Sequence, residues 1–269
     1  MEEDFDFGHG TETDEIRDED LAQNPATRVP ICLCLDTSGT MGIVEGGEIT
    51  STGQIIHEDG KTLRLVTGNN LRTRLKEMQK GIDLFFQSIL NDNAAKYSAD
   101  ISVITFDSEA RVVKEFSVID EETEVPQLRS QGETAMGEGV NLALDLLESR
   151  KEMYRSFGRD YYQPWLVLMT DGEPDDNDKE REEVGRAEKR IRDMVANRKL
   201  TVFAIGIGKE ANLEVLKRFS PSRAPLRLKG LNFSEFFEWL SQSVSRTSQS
   251  VPGEKVQLDT AGIQGWGEL

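Results

Sequence analysis

The stretch ICLCLDTSGTM, residues 31–41, is an unbroken apolar run that ends in an aspartate, two hydroxyl side chains and a glycine. A buried strand with that ending delivers Asp36, Ser38 and Thr40 to a single loop. Two later segments offer the same chemistry. QGETAMGEG carries Thr134 into an amphipathic stretch, and WLVLMT runs into DGEPDD with Asp171. All five side chains are oxygen donors. Hard oxygen ligands with few formal charges, leaving room for water, favour Mg²⁺ or Mn²⁺ over zinc or copper. His9 and His57 fall in an acidic tail and a hairpin, so a histidine metal site is set aside. Cys32 and Cys34, two apart in the opening strand, project from one face as core thiols, with no further Cys or His nearby to complete a site.

The elements that must position these residues follow from periodicity. RVPICLCL, ADISVITFD, YQPWLVLMT and LTVFAIGIG are apolar on both faces, as strands of a parallel sheet covered by helices are. ARVVKEF follows the second after a tight turn and predicts one antiparallel edge, and PLRLKG is a weak sixth strand. Helical spacing marks residues 70–92, 134–154, 178–199, 212–219 and 233–248, with Phe233, Phe236, Phe237 and Trp239 as core residues of the last helix. Alternation of this kind predicts an α/β fold: a doubly wound, mostly parallel open sheet with helices on both faces. In such sheets ligands collect at the carboxyl ends of strands, where Asp36 and Asp171 fall.

One segment breaks the alternation. GGEITSTGQIIHEDGKTLRLVTGN holds an Asp59-Gly60 pair between two β-prone runs, which predicts an inserted hairpin over about residues 47–67 beside the Asp36 loop. A two-residue turn there sets Glu58 opposite Lys61 and Ile56 opposite Leu63. The acidic run Glu173, Asp175, Asp176 and Asp178 is open to two readings, a calcium loop or a solvated loop that starts the next helix with Asp178 as its cap. Asp107 is a candidate acceptor near the site, and RLKEMQK, residues 74–80, reads as a solvated helix face rather than a docking site.

Composition narrows the function. The formal charge is -17, and residues 1–27 hold ten Asp or Glu against Arg17 alone. That segment reads as an acidic disordered tail, which either solubilises the chain or serves as an acidic peptide for a basic partner, with Phe5 and Phe7 as its only anchors. The domain is expected over 28–249, and residues 250–269, which lose all periodicity, are expected to form a loose C-terminal tail. A chain this acidic repels phosphates, which argues against a nucleic-acid partner. No apolar run reaches membrane-spanning length and no secretory signal opens the chain, so a soluble, cytoplasmic protein is expected.

DTSGT, the Thr134 segment and TDGEP together resemble the metal-ion-dependent adhesion site of von Willebrand factor type A domains, in the order that family uses. PICLCLDTSGTM, SVITFDSEARVV, WLVLMTDGEPDD and PLRLKGLNFSEFFEWLSQSVS are further similar to TerY-type proteins of bacterial tellurite-resistance and stress clusters. The resemblance implies a non-enzymatic Mg²⁺-dependent interaction module. Ser38, Thr40 and Thr134 would contact the ion, Asp36 and Asp171 would supply charge, and a partner's acidic residue would fill an open position. It also implies a PP2C-type phosphatase and a protein kinase as partners. Two departures stand out: Thr40 sits where many members have serine, and the hairpin interrupts a loop that usually passes directly into the first helix. The rival enzymatic reading is a haloacid-dehalogenase-type Mg²⁺ phosphatase with Asp36 as nucleophile. That chemistry needs an acid two residues later, where Ser38 stands.

Overall fold

Strand β1 (Val29–Asp36) is buried at all eight positions and occupies the centre of the sheet. In the computed structural model, which describes residues 21–58, 61–250, 263 and 265–268, β1 pairs in parallel with β4 (Ala99–Phe106) on one side and β6 (Trp165–Thr170) on the other. With β5 (Ala110–Ser117), β7 (Thr201–Gly206), β8 (Leu226–Leu228) and β9 (Gly267–Glu268), the seven-stranded order is β5-β4-β1-β6-β7-β8-β9. The chain leaves β1 toward β4 and later returns to β1's other side as β6. The direction of winding therefore reverses between β1 and β6, and the carboxyl ends of these two strands flank the crevice.

Alternation along β1 divides the interior in two. Ile31, Leu33 and Leu35 face helices α1 (Arg74–Asn91) and α5 (Phe233–Ser248). Cys32 and Cys34, both free thiols, face α2 (Met136–Ser156) and α3 (Asp178–Ala196), and α4 (Leu213–Phe219) extends that layer. On α1 the buried set Leu75, Met78, Ile82, Phe85, Phe86 and Ile89 recurs at three- and four-residue spacing, which builds the stripe that covers the sheet. Two glycines permit close approaches. A Cβ at Gly81 would meet the Phe237 ring at 2.6 Å, and one at Gly137 would meet the backbone N of Val184 at 2.4 Å.

The insertion forms a separate antiparallel pair, β2 (Val44–Glu58) and β3 (Lys61–Thr73), with Ile56 opposite Leu63 and Glu58 opposite Lys61, as the sequence predicts. Asp59 and Gly60 lie outside the described residues. The strands run beyond 47–67, so helix α1 begins at Arg74 rather than at residue 70. Thr73 caps it by accepting a hydrogen bond from the Lys76 amide at 3.1 Å. Among the exposed large apolar residues, Ile49, Ile55 and Leu65 belong to this hairpin.

Both ends of the chain depart from expectation. Leu21 is fully buried and its carbonyl accepts from Arg159 Nε at 2.5 Å, so packed chain begins before residue 28. Residues 1–20, including Phe5 and Phe7, lie outside the described residues. In the segment expected to be a loose C-terminal tail, Ile263 and Trp266 are buried and β9 pairs antiparallel with β8, adding a second antiparallel edge. The cause is aromatic. Trp266 packs edge-on against Phe236, with ring centroids 5.7 Å apart, and tilted against Trp239 at 5.9 Å. A single docked tryptophan has no periodicity to reveal it. No helix among the described residues is long and apolar enough to cross a membrane. Trp266→Ala is expected to cost about 3 kcal/mol in urea unfolding; an unchanged midpoint would show that the C-terminal segment contributes nothing to the core.

Candidate functional site

Asp36 ends β1 with no exposed surface, and both carboxylate oxygens are engaged. Oδ1 accepts from the Ser38 amide at 2.8 Å, an Asx turn that bends the chain away from the sheet. Oδ2 accepts from the Thr170 hydroxyl at 2.5 Å. Parallel pairing makes this second bond possible, because Leu35 lies beside Met169, so the next residues, Asp36 and Thr170, are neighbours across the strands. Asp171 follows at the top of β6. Its Oδ1 accepts from the Thr40 hydroxyl at 2.7 Å, and the Thr40 and Ser38 hydroxyls lie 3.1 Å apart.

Thr134 arrives from a third loop. The Gln131 amide donates to the Thr37 carbonyl at 2.9 Å, the Gly39 amide to the Gly132 carbonyl at 3.0 Å and the Ala135 amide to the Asp107 carbonyl at 2.7 Å, which stitches this loop to the ends of β1 and β4. Gly132 is required in the stitch: its φ is +67°, and a Cβ would lie 2.3 Å from Ser108 Oγ. The Thr134 amide donates to both oxygens of Asp175 at 3.0 and 3.1 Å. Thr134 lines a cavity of about 410 Å³ together with Ser38, Thr40 and Asp171. Thr134 is only 9 % exposed, and its hydroxyl makes no hydrogen bond to any described residue.

The sequence-selected residues Ser38, Thr40, Thr134 and Asp171 therefore share one cavity, with Asp36 bonded directly beneath. Asp107 sits at the edge. Its carboxylate is taken by Arg111 at 2.8 Å and by Gln131 of the Thr134 loop at 3.2 Å, and its carbonyl accepts from the Ala135 amide, so it braces that loop without lining the cavity. Asp175 orients that loop, and the cap of α3 is Asn177 rather than Asp178, accepting from the Glu180 amide at 2.9 Å. Among the described residues, no group of three or more His, Cys, Asp or Glu side chains could hold a metal ion by itself, so any cation here depends on hydroxyl oxygens.

Arg74 is the residue that sequence reasoning missed. Its guanidinium, in a side chain only 6 % exposed, donates to Asp171 Oδ2 at 2.7 Å, to Glu45 of β2 at 2.5 Å and to Glu210 after β7 at 2.9 Å. Reading residues 74–80 as a solvated face is corrected here for Arg74 and for Glu77, which is also buried. The lost signal is the hairpin: once β3 extends to Thr73, the first helical residue is held against the end of β6 rather than on an outer face.

Two carboxylates at this proximity cannot share a negative charge without compensation. Burial, followed by repulsion from Asp171, pushes Asp36 up to about 7, against the lowering effect of hydrogen bonds from Thr170 and Ser38. Arg74 compensates Asp171 from the far side, leaving the Asp36 side unpaired. In the cation-free protein, folding holds the Asp36 proton more tightly than the unfolded chain does. The resulting stability is complete below about pH 4 and is lost as pH rises through about 7, a change on the order of 4 kcal/mol at most. Melting temperature measured in EDTA should fall across that window, and Asp36→Asn should flatten the profile. A profile rising with pH in the wild type but not in this variant would contradict the assignment. Arg74→Met leaves Asp171 buried without a counter-charge and is expected to cost about 3 kcal/mol, whereas Arg74→Lys should cost less; equal urea midpoints for all three proteins would remove Arg74 from the network.

No curated protein matches the chain. Among solved structures it is similar to a von Willebrand factor type A protein from Catenulispora acidiphila, with a TM-score of 0.55 and 17% identity over 82% of this chain and 43% of that one. It is also similar to the vWF domain of the type V pili tip protein Mfa5 from Porphyromonas gingivalis, at 0.53 and 11% over 86% and 99%. The PilB minor pilin from Streptococcus sanguinis gives 0.52 and 12% over 82% and 62%. The chain thus spans less than two thirds of the length of the first and third, and at these identities the likeness is one of fold. The von Willebrand factor type A domain family matches residues 66–236, a range that holds Thr134 and Asp171 and begins after Asp36, Ser38 and Thr40. With more than half of its length matched and the corresponding fold in place, the chain belongs to the von Willebrand factor type A domain family.

Proposed function

We propose that this domain is a cation-dependent protein-interaction module in which Asp36, Ser38, Thr40, Thr134 and Asp171 form a site for Mg²⁺, or Mn²⁺, that is completed by a carboxylate of a protein partner. The observation that carries the reading is Thr134, a buried residue that lines one cavity with Ser38, Thr40 and Asp171 and whose hydroxyl makes no hydrogen bond to a described residue. The donor set fits a hard cation, being all oxygen: three hydroxyls and the Asp171 carboxylate at the cavity, with the Asp36 carboxylate supplying charge from directly beneath. A bound divalent cation would supply the positive centre that a partner carboxylate seeks. The protein's own part is positional. Asp36 holds the Ser38 amide, Asp171 holds the Thr40 hydroxyl, and Asp175 holds the Thr134 amide.

Binding is favoured over phosphoryl transfer on geometry. A nucleophilic Asp36 would need a free oxygen, yet both are hydrogen-bonded in a fully buried side chain. Ser38 hydroxyl, two residues on, cannot shuttle a proton at neutral pH. The wider setting, a cytoplasmic role in a bacterial stress, tellurite-resistance or defence pathway beside a PP2C-type phosphatase and a protein kinase, rests on the resemblance of the strand-end segments to TerY-type proteins.

Calorimetry should detect one Mg²⁺ or Mn²⁺ site in the full chain, abolished in Asp171→Ala and weakened about tenfold in Thr134→Ala, one lost direct ligand being comparable to the effects seen when metal ligation is disturbed. Undiminished binding in both variants would refute the site. A second arm measures hydrolysis of small phosphate esters with Mg²⁺, and turnover abolished by Asp36→Asn would instead support the phosphatase.

A further inference from the structure

The cavity has an electrostatic asymmetry that the cation reading does not use. The cavity is lined by the acids Glu133, Glu173, Asp175, Asp176 and Glu210 above the buried Asp171, and none of the described lining residues is Lys, Arg or His. Some of this charge is answered locally: Arg74 pairs with Asp171 and Glu210, and Arg181 with Asp176 at 2.9 Å. Glu133, Glu173 and Asp175 make no ion pair with any described residue. Glu173 is bonded only to the neutral Asn212 amide at 2.7 Å, and Asp175 to the Thr134 amide. Glu133 and Glu173 are exposed. The chain as a whole carries -17.

Even with a cation bound at the floor, a lone carboxylate meets the unpaired rim acids on its way in. Screening acts over about 8 Å at physiological salt, so charges on the rim of a mouth this size act on an incoming segment at close range. A segment that brings its own cations is steered in, because complementary charge sets both encounter rate and partner choice. We propose that the partner segment is a protein loop bearing one carboxylate flanked within about three positions by Lys or Arg, the basic residues facing Glu133, Glu173 and Asp175. The carboxylate rests on the function proposed above, and the basic flanks rest on the rim alone.

The test pans a random peptide display library against the full chain in saturating Mg²⁺, then measures selected synthetic peptides by fluorescence anisotropy. Enriched sequences are expected to carry an Asp or Glu with neighbouring Lys or Arg. Their affinity should fall at least about tenfold when salt rises from about 0.05 M to about 0.5 M. The Glu133→Gln, Glu173→Gln double variant, also saturated with Mg²⁺, should bind about tenfold more weakly at low salt. Enrichment of acidic or neutral flanks, absence of any enrichment, or equal binding by the double variant would overturn the proposal. Two controls separate it from the cation reading. If basic peptides bind equally in EDTA, or after Asp→Asn replacement in the peptide, the cation reading fails and the basic-flank proposal stands. If Mg²⁺ binds by calorimetry and flanking charge has no effect, the reverse holds.

Discussion

Parallel pairing of β1 with β6 sets two carboxylates side by side at one end of the sheet, and most of the surrounding structure answers that constraint. Asp36 and Asp171 cannot be separated without breaking the central ladder, nor exposed without opening the crevice at the reversal of winding. The local solution is a shell of donors: the Ser38 amide and Thr170 hydroxyl on one carboxylate, the Thr40 hydroxyl and Arg74 guanidinium on the other. Only one of these donors is charged. The residual negative field points into the cavity, where three hydroxyls stand, and an external cation is the natural complement.

Arg74 gives the hairpin a structural place that an ornament would lack. Its three acceptors come from β2, from the end of β6 and from the loop after β7, so the base of the insertion is tied to the floor and to the rim of the cavity by a single guanidinium. A fork with five donors suits this geometry as an ammonium would not. Glu210 is 71 % exposed in its side chain, so the pair it forms is screened and weak, whereas the Asp171 pair is buried. Beyond this base the hairpin carries its own antiparallel ladder, with Ile49, Ile55 and Leu65 open to solvent.

The strands that end at Asp36 and Asp171 were legible because each is a local signal, an apolar run that stops at a polar side chain, whereas Thr134 was picked out by its loop alone and reaches the same cavity only in the fold. The hairpin register was legible for the same reason, since turn length and alternation act within a few residues. Asp175 was visible only as one of four acids with two open readings. Its role depends on meeting the Thr134 amide 41 residues away in sequence. The C-terminal expectation failed because periodicity reports how a segment covers a continuous surface, and Trp266 instead docks as one ring against Phe236 and Trp239, which already touch each other.

Taken by itself, the sequence determined the α/β alternation, the oxygen-only chemistry of Asp36, Ser38, Thr40, Thr134 and Asp171, and the net negative charge, because these follow from residue type and short-range spacing. Tertiary structure alone decided three matters: Asp36 and Asp171 flank the point where winding reverses, Arg74 turns inward to pair with Asp171, and the rim acids converge on one cavity mouth. Each of these joins residues far apart in the chain, and such contacts are set by strand order and helix entry, quantities that no local pattern encodes.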